Sequence, residues 1–133
     1  MPRGAARGLS LIELTVGLAI LSVVASMALP SYQGQLAKAR RAEAMNRLTR
    51  LQLAQEQFRA HHGSYALRLE ALGPLGEITP HIELSLASAH AQGYIARARI
   101  TRETPQNGGC HELTLSVSDG QASQGPSDHC WNR

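Results

Sequence analysis

Histidine and cysteine side chains are the residues of this 133-residue chain that could bind a metal ion or act on a substrate. His61 and His62 are adjacent, so they cannot share a helix face, and no cysteine or acid near them completes the spacing of a zinc site. The chain has no Gly-x-Ser-x-Gly elbow, no phosphate-binding glycine loop and no His-Glu-x-x-His sequence. We therefore predict no metal, no cofactor and no catalytic site. The other histidines are interpreted as ordinary surface residues: His81, His90, His111 and His129.

Glu13 also requires a chemical explanation, because it is the only charged residue between Leu9 and Leu29. As a helix this apolar stretch would span roughly 31 Å, close to the ~30 Å hydrocarbon core of a bilayer. Placing an acid at the bilayer centre costs about 2.5–3.5 kcal/mol, and less near the edge. Either Glu13 lies near enough to one end of the span to reach the interface, or a partner such as a free amino group neutralises it within an assembly.

On composition alone, the apolar stretch could be a secretory signal peptide or a membrane anchor. A secretory signal peptide also begins with basic residues, and Ala25–Ala28 weakly resembles its cleavage site, but its apolar core is usually ~7–15 residues. That alternative predicts a secreted soluble protein that begins near Leu29. A membrane anchor fits the length better. Basic residues flank both ends of the stretch, so their count does not fix the orientation in the membrane: Arg3 and Arg7 on one side, Lys38, Arg40 and Arg41 on the other.

The N-terminal motif resembles a known processing signal. Gly8 followed by LSLIELTVGLAILSVVASMALPSYQ is similar to the class III signal of type IV prepilins and pseudopilins. The resemblance implies that a prepilin peptidase removes the leader 1–8 and methylates the new amino terminus at Leu9, where the family usually has phenylalanine. It also implies that Glu13 contacts the N-terminal amine of a neighbouring subunit during assembly, and that Pro30 kinks the helix.

Helix-forming residues continue beyond this motif as far as His62. We expect one long helix, with a transmembrane and assembly half at 9–30 and an amphipathic half at 31–62. An apolar stripe of the second half should pack against a small domain: Met45, Leu48, Leu51, Ala54 and Phe58. A basic cluster is interpreted mainly as a solvated face, with lipid headgroups, neighbouring subunits or DNA as alternative contacts: Lys38, Arg40, Arg41, Arg47 and Arg50.

Residues 63–133 carry the pattern of a sheet. Apolar and polar residues alternate within 82–86, 94–101 and 112–117, as in strands with one buried face. The connections between them are short enough for antiparallel neighbours. The sequence therefore predicts an α+β fold of the pilin-like type, in which the long helix packs on a small antiparallel sheet of about three to four strands.

The resemblance extends along the chain. PSYQ, RRAEA, FRAHHGSYA and the terminal Cys-Trp are similar to segments of PilE-type minor pilins. This implies a disulfide between Cys110 and Cys130 that bounds an exposed C-terminal loop. A type II secretion pseudopilin is the nearest alternative. Its calcium loop would need more oxygen ligands than Asp119 and Asp128 supply.

The resemblance implies a structural subunit of a type IV pilus, a minor pilin that supports pilus assembly and so twitching motility, adhesion or DNA uptake. Expected partners are the major pilin, other minor pilins, the prepilin peptidase, the inner-membrane assembly platform and, before assembly, membrane lipid. The expected location is the bacterial inner membrane, with the C-terminal domain in the periplasm, and then the extracellular pilus. A DNA-uptake or adhesin subunit that binds DNA or a surface ligand through the loop or through basic residues such as Arg97 and Arg99 is a further alternative.

Overall fold

A computed structural model describes residues 8, 10–76, 79–102 and 107–131. The predicted leader other than Gly8, and Leu9 itself, lie outside the described residues. The elements run in the order α1 (Leu11–His62), a short 3-10 helix (Leu69–Leu72), β1 (Ile82–His90), β2 (Gly93–Ile100), β3 (Glu112–Ser118), β4 (Gln121–Gly125) and a second short 3-10 helix (Asp128–Trp131). The predicted α+β architecture of one long helix and a small antiparallel sheet is confirmed.

Helix α1 is a single element of 52 residues that continues through Pro30. It ends at Gly63, whose backbone has a φ of 77° and whose N–H donates to the Arg59 carbonyl. This left-handed conformation is the one that glycine adopts most readily at a helix terminus. The N-terminal part of α1 is long and apolar enough to cross a membrane, and none of it is buried inside the protein. The predicted kink at Pro30 stays a prediction.

The sheet has four antiparallel strands in the order β1-β2-β3-β4. On β2, Tyr94, Ala96, Ala98 and Ile100 are buried against α1, as the alternation predicts. Strand β4 was not placed by the sequence, because its residues are mostly small and polar and almost entirely exposed. Residues 121–125 pair with β3 along their whole length.

The core lies between α1 and the inner face of the sheet. Ala44, Leu48 and Leu51 of α1 are fully buried there. The buried face of α1 also contains Arg41 and Gln55, at 5% and 0% exposure. The interpretation of Arg41 as part of a solvated face is therefore wrong.

Helical spacing explains why these polar residues are buried. Arg41 and Gln55 lie three or four residues from buried apolar neighbours and so share their face of the helix. Phe58, expected in the core, is only half-buried and stacks on His62 at a ring-centroid distance of 4.0 Å.

Candidate functional site

The apolar N-terminal part of α1 presents an uncovered surface that carries one acid. Leu11, Ile12 and Leu14 are 55–81% exposed. Glu13 lies in the first turn of α1 and is exposed. No cation of the described residues lies within ion-pair distance of its carboxylate. A carboxylate at a helix N-terminus interacts favourably with the helix dipole, but among the described residues Glu13 has no cation as a counter-charge.

The Cys110–Cys130 disulfide is present and buried, with 5.4 Å between the Cα atoms. Trp131, next to it, donates from its indole Nε1 to the Gly125 carbonyl at 2.8 Å. The segment between the cysteines contains both β3 and β4. The disulfide therefore fixes both ends of the segment that holds the last two strands, and β4 within that segment is almost entirely exposed. That this segment serves as an exposed C-terminal loop stays a prediction.

An open groove runs between the sheet and the α1–β1 connection (residues 63–81), and we call it the sheet groove. Its volume is about 840 Å³. Its arginines come from two elements, Arg47 from α1 and Arg97 and Arg99 from β2. The two β2 arginines point to the outer face because their neighbours in the strand alternate into the core. The remaining lining residues are Leu69, Glu70, Gly73, Pro74, Leu75, Gly76, Ile82, Glu83, Leu84, Ser85 and Glu112.

The charges in the sheet groove are balanced, since its three arginines face three glutamates. Arg97 Nε lies 3.6 Å from Glu112 Oε1, and about half of each of these side chains is exposed. Arg99 is opposite both Glu83 and Glu112 in the strand register. An exposed pair of this kind is worth only about 0–1 kcal/mol. The guanidinium groups can therefore exchange a carboxylate for another anion at little cost.

The α1–β1 connection is fixed to α1 by buried polar contacts. Gln55 exchanges two hydrogen bonds with the backbone of Ala66. The Tyr65 hydroxyl donates to Glu56 Oε1 at 2.9 Å and accepts from Arg59 Nη1 at 3.0 Å. Burial, followed by the hydrogen bond to Glu56, raises the pKa of Tyr65. These contacts place the start of the connection, and with it one wall of the sheet groove.

Sequence reasoning identified the arginines of this site but missed the residues that organise it. Gln55 could have been noticed as a polar residue four positions after Leu51, in line with the apolar stripe. The six histidines do not converge. Within the described part of the chain, no group of three or more histidine, cysteine or acidic side chains is arranged to hold a metal ion.

Comparison with protein families gives two matches. Residues 30–114 match the family described as type IV minor pilin ComP, DNA uptake sequence receptor. Residues 3–29 match the prokaryotic N-terminal methylation motif. No curated protein and no solved structure matches the chain. The first match covers well over half of the chain and the second covers the predicted processing signal. The resemblance to type IV pilins is thereby confirmed, and the chain belongs to the ComP family of type IV minor pilins.

Proposed function

We propose that this minor pilin binds DNA in the sheet groove and serves DNA uptake as part of a type IV pilus. The observation that carries the proposal is that Arg47, Arg97 and Arg99, from two different elements, line one open groove. A planar guanidinium group donates two parallel hydrogen bonds to a phosphate, which makes arginine the preferred side chain for this contact. The description of the matched family as a DNA uptake sequence receptor supports the same ligand.

Because the charges in the sheet groove are balanced, DNA binding there depends on where the phosphates of the DNA lie. The glutamates offset much of the general attraction for a polyanion, which supplies most non-specific affinity in other DNA-binding proteins. Binding then requires phosphates that lie where the arginines are and that displace Glu112 from Arg97. The groove would therefore bind DNA whose phosphates are spaced to meet the arginines, and it would not bind every anionic polymer.

The assembly half of the molecule is proposed to act as in other type IV pilins. A prepilin peptidase would cut between Gly8 and Leu9 and methylate Leu9. The apolar part of α1 would hold the protein in the inner membrane, with the C-terminal domain in the periplasm, and would then pack against the major pilin and other minor pilins at the assembly platform. Glu13 would meet the N-terminal amine of a neighbour, which supplies its missing counter-charge, and Pro30 would kink the helix.

DNA binding can be tested on the purified mature protein in detergent micelles. We expect Arg97→Gln/Arg99→Gln to bind fluorescein-labelled genomic fragments from its own host about tenfold or more weakly in fluorescence anisotropy. The dependence of log affinity on log salt should fall by about 1–2. Lys38→Gln/Arg102→Gln removes the same charge from exposed positions outside the groove and should have little effect. Equal losses in both variants would show that the groove is not the binding surface.

A further inference from the structure

A second, smaller pocket lies beside the sheet groove, and we call it the helix pocket. Its volume is about 190 Å³. Glu43, Asn46, Arg47 and Arg50 of α1 form one side, and Leu75 and Thr79 of the α1–β1 connection form the other. It shares Arg47 and Leu75 with the sheet groove. The two cavities are therefore immediate neighbours.

The guanidinium group of Arg50 is held in the helix pocket by its neighbours. Arg50 Nε donates to Asn46 Oδ1 at 3.3 Å, which aligns the side chain along α1. Gly76 has a φ of 100°, and a Cβ atom at this residue would lie 2.7 Å from Arg50 Nη1. A residue with a side chain would therefore be strained and would displace the guanidinium. The bare backbone leaves room for Arg50 beside the connection.

Thr79 supplies an unused hydrogen-bonding group in the same pocket. Its Oγ1 is buried and has no hydrogen-bond partner among the residues that the structure describes. A buried hydroxyl without a hydrogen-bond partner is unfavourable, because it has lost its hydrogen bonds to water. A threonine hydroxyl can donate to an anionic oxygen. Its burial without a partner beside a guanidinium group is explained if an anion completes the site.

We infer that the helix pocket is a subsite for one backbone phosphate of DNA, with Arg50 and the Thr79 hydroxyl as donors. The inference rests on the proposed function and adds a phosphate contact on the helix side of the connection. Arg47 Nε lies 3.8 Å from Glu43 Oε1, so the acid of the pocket is already paired with a cation. With one carboxylate in its wall, the pocket suits a single phosphate diester better than a densely charged anion.

A phosphate in this pocket could come from DNA or from a lipid headgroup, and position along α1 favours DNA. Arg47 and Arg50 lie 17 and 20 residues beyond Pro30. At 1.5 Å per residue, the helix carries them about 25–30 Å past the end of the apolar span. Headgroups of the membrane that holds the span are out of reach at that distance while the helix stands upright.

Two conservative substitutions test the helix pocket in the mature protein in micelles. Arg50→Gln should weaken binding of the labelled genomic fragments about tenfold and lower the salt slope by about 1. Thr79→Val removes only the hydroxyl, leaves no new polar group unpaired, and should weaken binding about threefold without loss of stability. Arg68→Gln and Thr49→Val are the matched controls, and we expect wild-type binding from both.

The outcomes separate this inference from the proposed function. If Arg97→Gln/Arg99→Gln loses binding while Arg50→Gln and Thr79→Val keep it, the helix pocket is not a subsite and the sheet groove stands. If none of these variants affects binding, the proposed function fails as well. Binding of glycerol 3-phosphate, a soluble analogue of the lipid headgroup, gives the third measurement, because the apolar span of α1 would bind any vesicle regardless of the pocket. If glycerol 3-phosphate binds the wild type but not Arg50→Gln, while Arg50→Gln keeps its affinity for DNA, the pocket is a headgroup site and the inference is overturned.

Discussion

Gln55 and Ala66 are joined by two hydrogen bonds inside the domain. Gln55 Nε2 donates to the Ala66 carbonyl at 3.1 Å, and the Ala66 N–H donates to Gln55 Oε1 at 2.8 Å. Both residues are buried. The Gln55 side-chain amide thus pairs with the backbone of Ala66 as a neighbouring strand would. It satisfies the N–H and the carbonyl of Ala66, which lies beyond the end of α1 and has no helical hydrogen bonds. The pair fixes the point at which the α1–β1 connection turns back along α1.

Gln55→Ala should destabilise the domain by about 2–5 kcal/mol, because it leaves two buried backbone groups without partners. Urea unfolding of the mature protein in micelles measures this effect, and the fluorescence of the one tryptophan, the buried Trp131, reports it. Gln57→Ala makes the same change at an exposed position of α1 and should lie within about 0.5 kcal/mol of wild type. If the two variants were equally stable, Gln55 would not hold the connection.

Tyr94 and Tyr65 should respond in opposite directions to the loss of their hydroxyl groups. The Tyr94 hydroxyl is buried without a hydrogen-bond partner among the described residues. Tyr94→Phe removes that unpaired group and should stabilise the protein by about 1 kcal/mol. Tyr65→Phe breaks the contacts with Glu56 and Arg59 and should destabilise it by about 1–2 kcal/mol. The same urea titration compares them, and destabilisation by Tyr94→Phe would mean that its hydroxyl has a partner.

These two tyrosines also predict how stability changes in alkali. Burial raises the pKa of Tyr94, and it raises that of Tyr65 together with the hydrogen bond to Glu56. Below about pH 10 both tyrosines are protonated in the folded and the unfolded chain, so they add no pH dependence. Above it the unfolded chain loses protons that the folded chain keeps, and the free energy of unfolding falls, by at most about 1.4 kcal/mol per pH unit for each group.

Urea titrations across this alkaline range should show a shallower fall for Tyr94→Phe than for wild type. Tyr32→Phe is the matched control for the loss of a tyrosine hydroxyl, because Tyr32 is 68% exposed. Identical slopes in wild type and Tyr94→Phe would contradict the assignment of the alkaline loss of stability to Tyr94.

The helix and three strands could be predicted because their signals are local. A run of helix formers and two-residue alternation are read from neighbouring positions. Strand β4 has no such signal, since Gln121, Ser123 and Gln124 gain their partners only when the chain folds back onto β3. The only local signal for β4 is the Asp119-Gly120 turn, whose two residues have positive φ and join it to β3. The disulfide between Cys110 and Cys130 then joins residues 20 positions apart around both strands.

The organisation of the candidate site was harder to predict for a different reason. Arg41 and Gln55 are of types that are usually exposed, so residue type argued against their burial. Arg41 Nη1 contacts the sulfur of Cys110 at 3.8 Å, across 69 positions of sequence. The sheet groove exists only because the connection lies beside β1. The sequence identified Arg97 and Arg99 as outward-facing cations, but it did not indicate that they line the same groove as Arg47.

Processing of the N terminus has a direct test in the intact mass of the protein. Protein extracted from membranes should begin at Leu9 and carry the additional mass of one methyl group, because the methylation motif covers residues 3–29. Gly8→Leu should block the cut and leave the leader attached. A mature start near Leu29 would indicate a conventional signal peptide instead, and retention of Met1 in the wild-type protein would contradict processing altogether.

Glu13→Val should leave the protein in the membrane but prevent its entry into pili. The substitution removes the charge that costs about 2.5–3.5 kcal/mol at the bilayer centre, so insertion is not impaired, whereas the proposed counter-charge for a neighbour's N-terminal amine is lost. Immunoblots of membrane and sheared-pilus fractions measure the two steps separately. Thr15→Val is the control, because the Thr15 hydroxyl donates to the Ile12 carbonyl of its own helix at 2.9 Å. Wild-type amounts of Glu13→Val in the pilus fraction, with pilus number and motility unchanged, would show that assembly does not depend on this carboxylate.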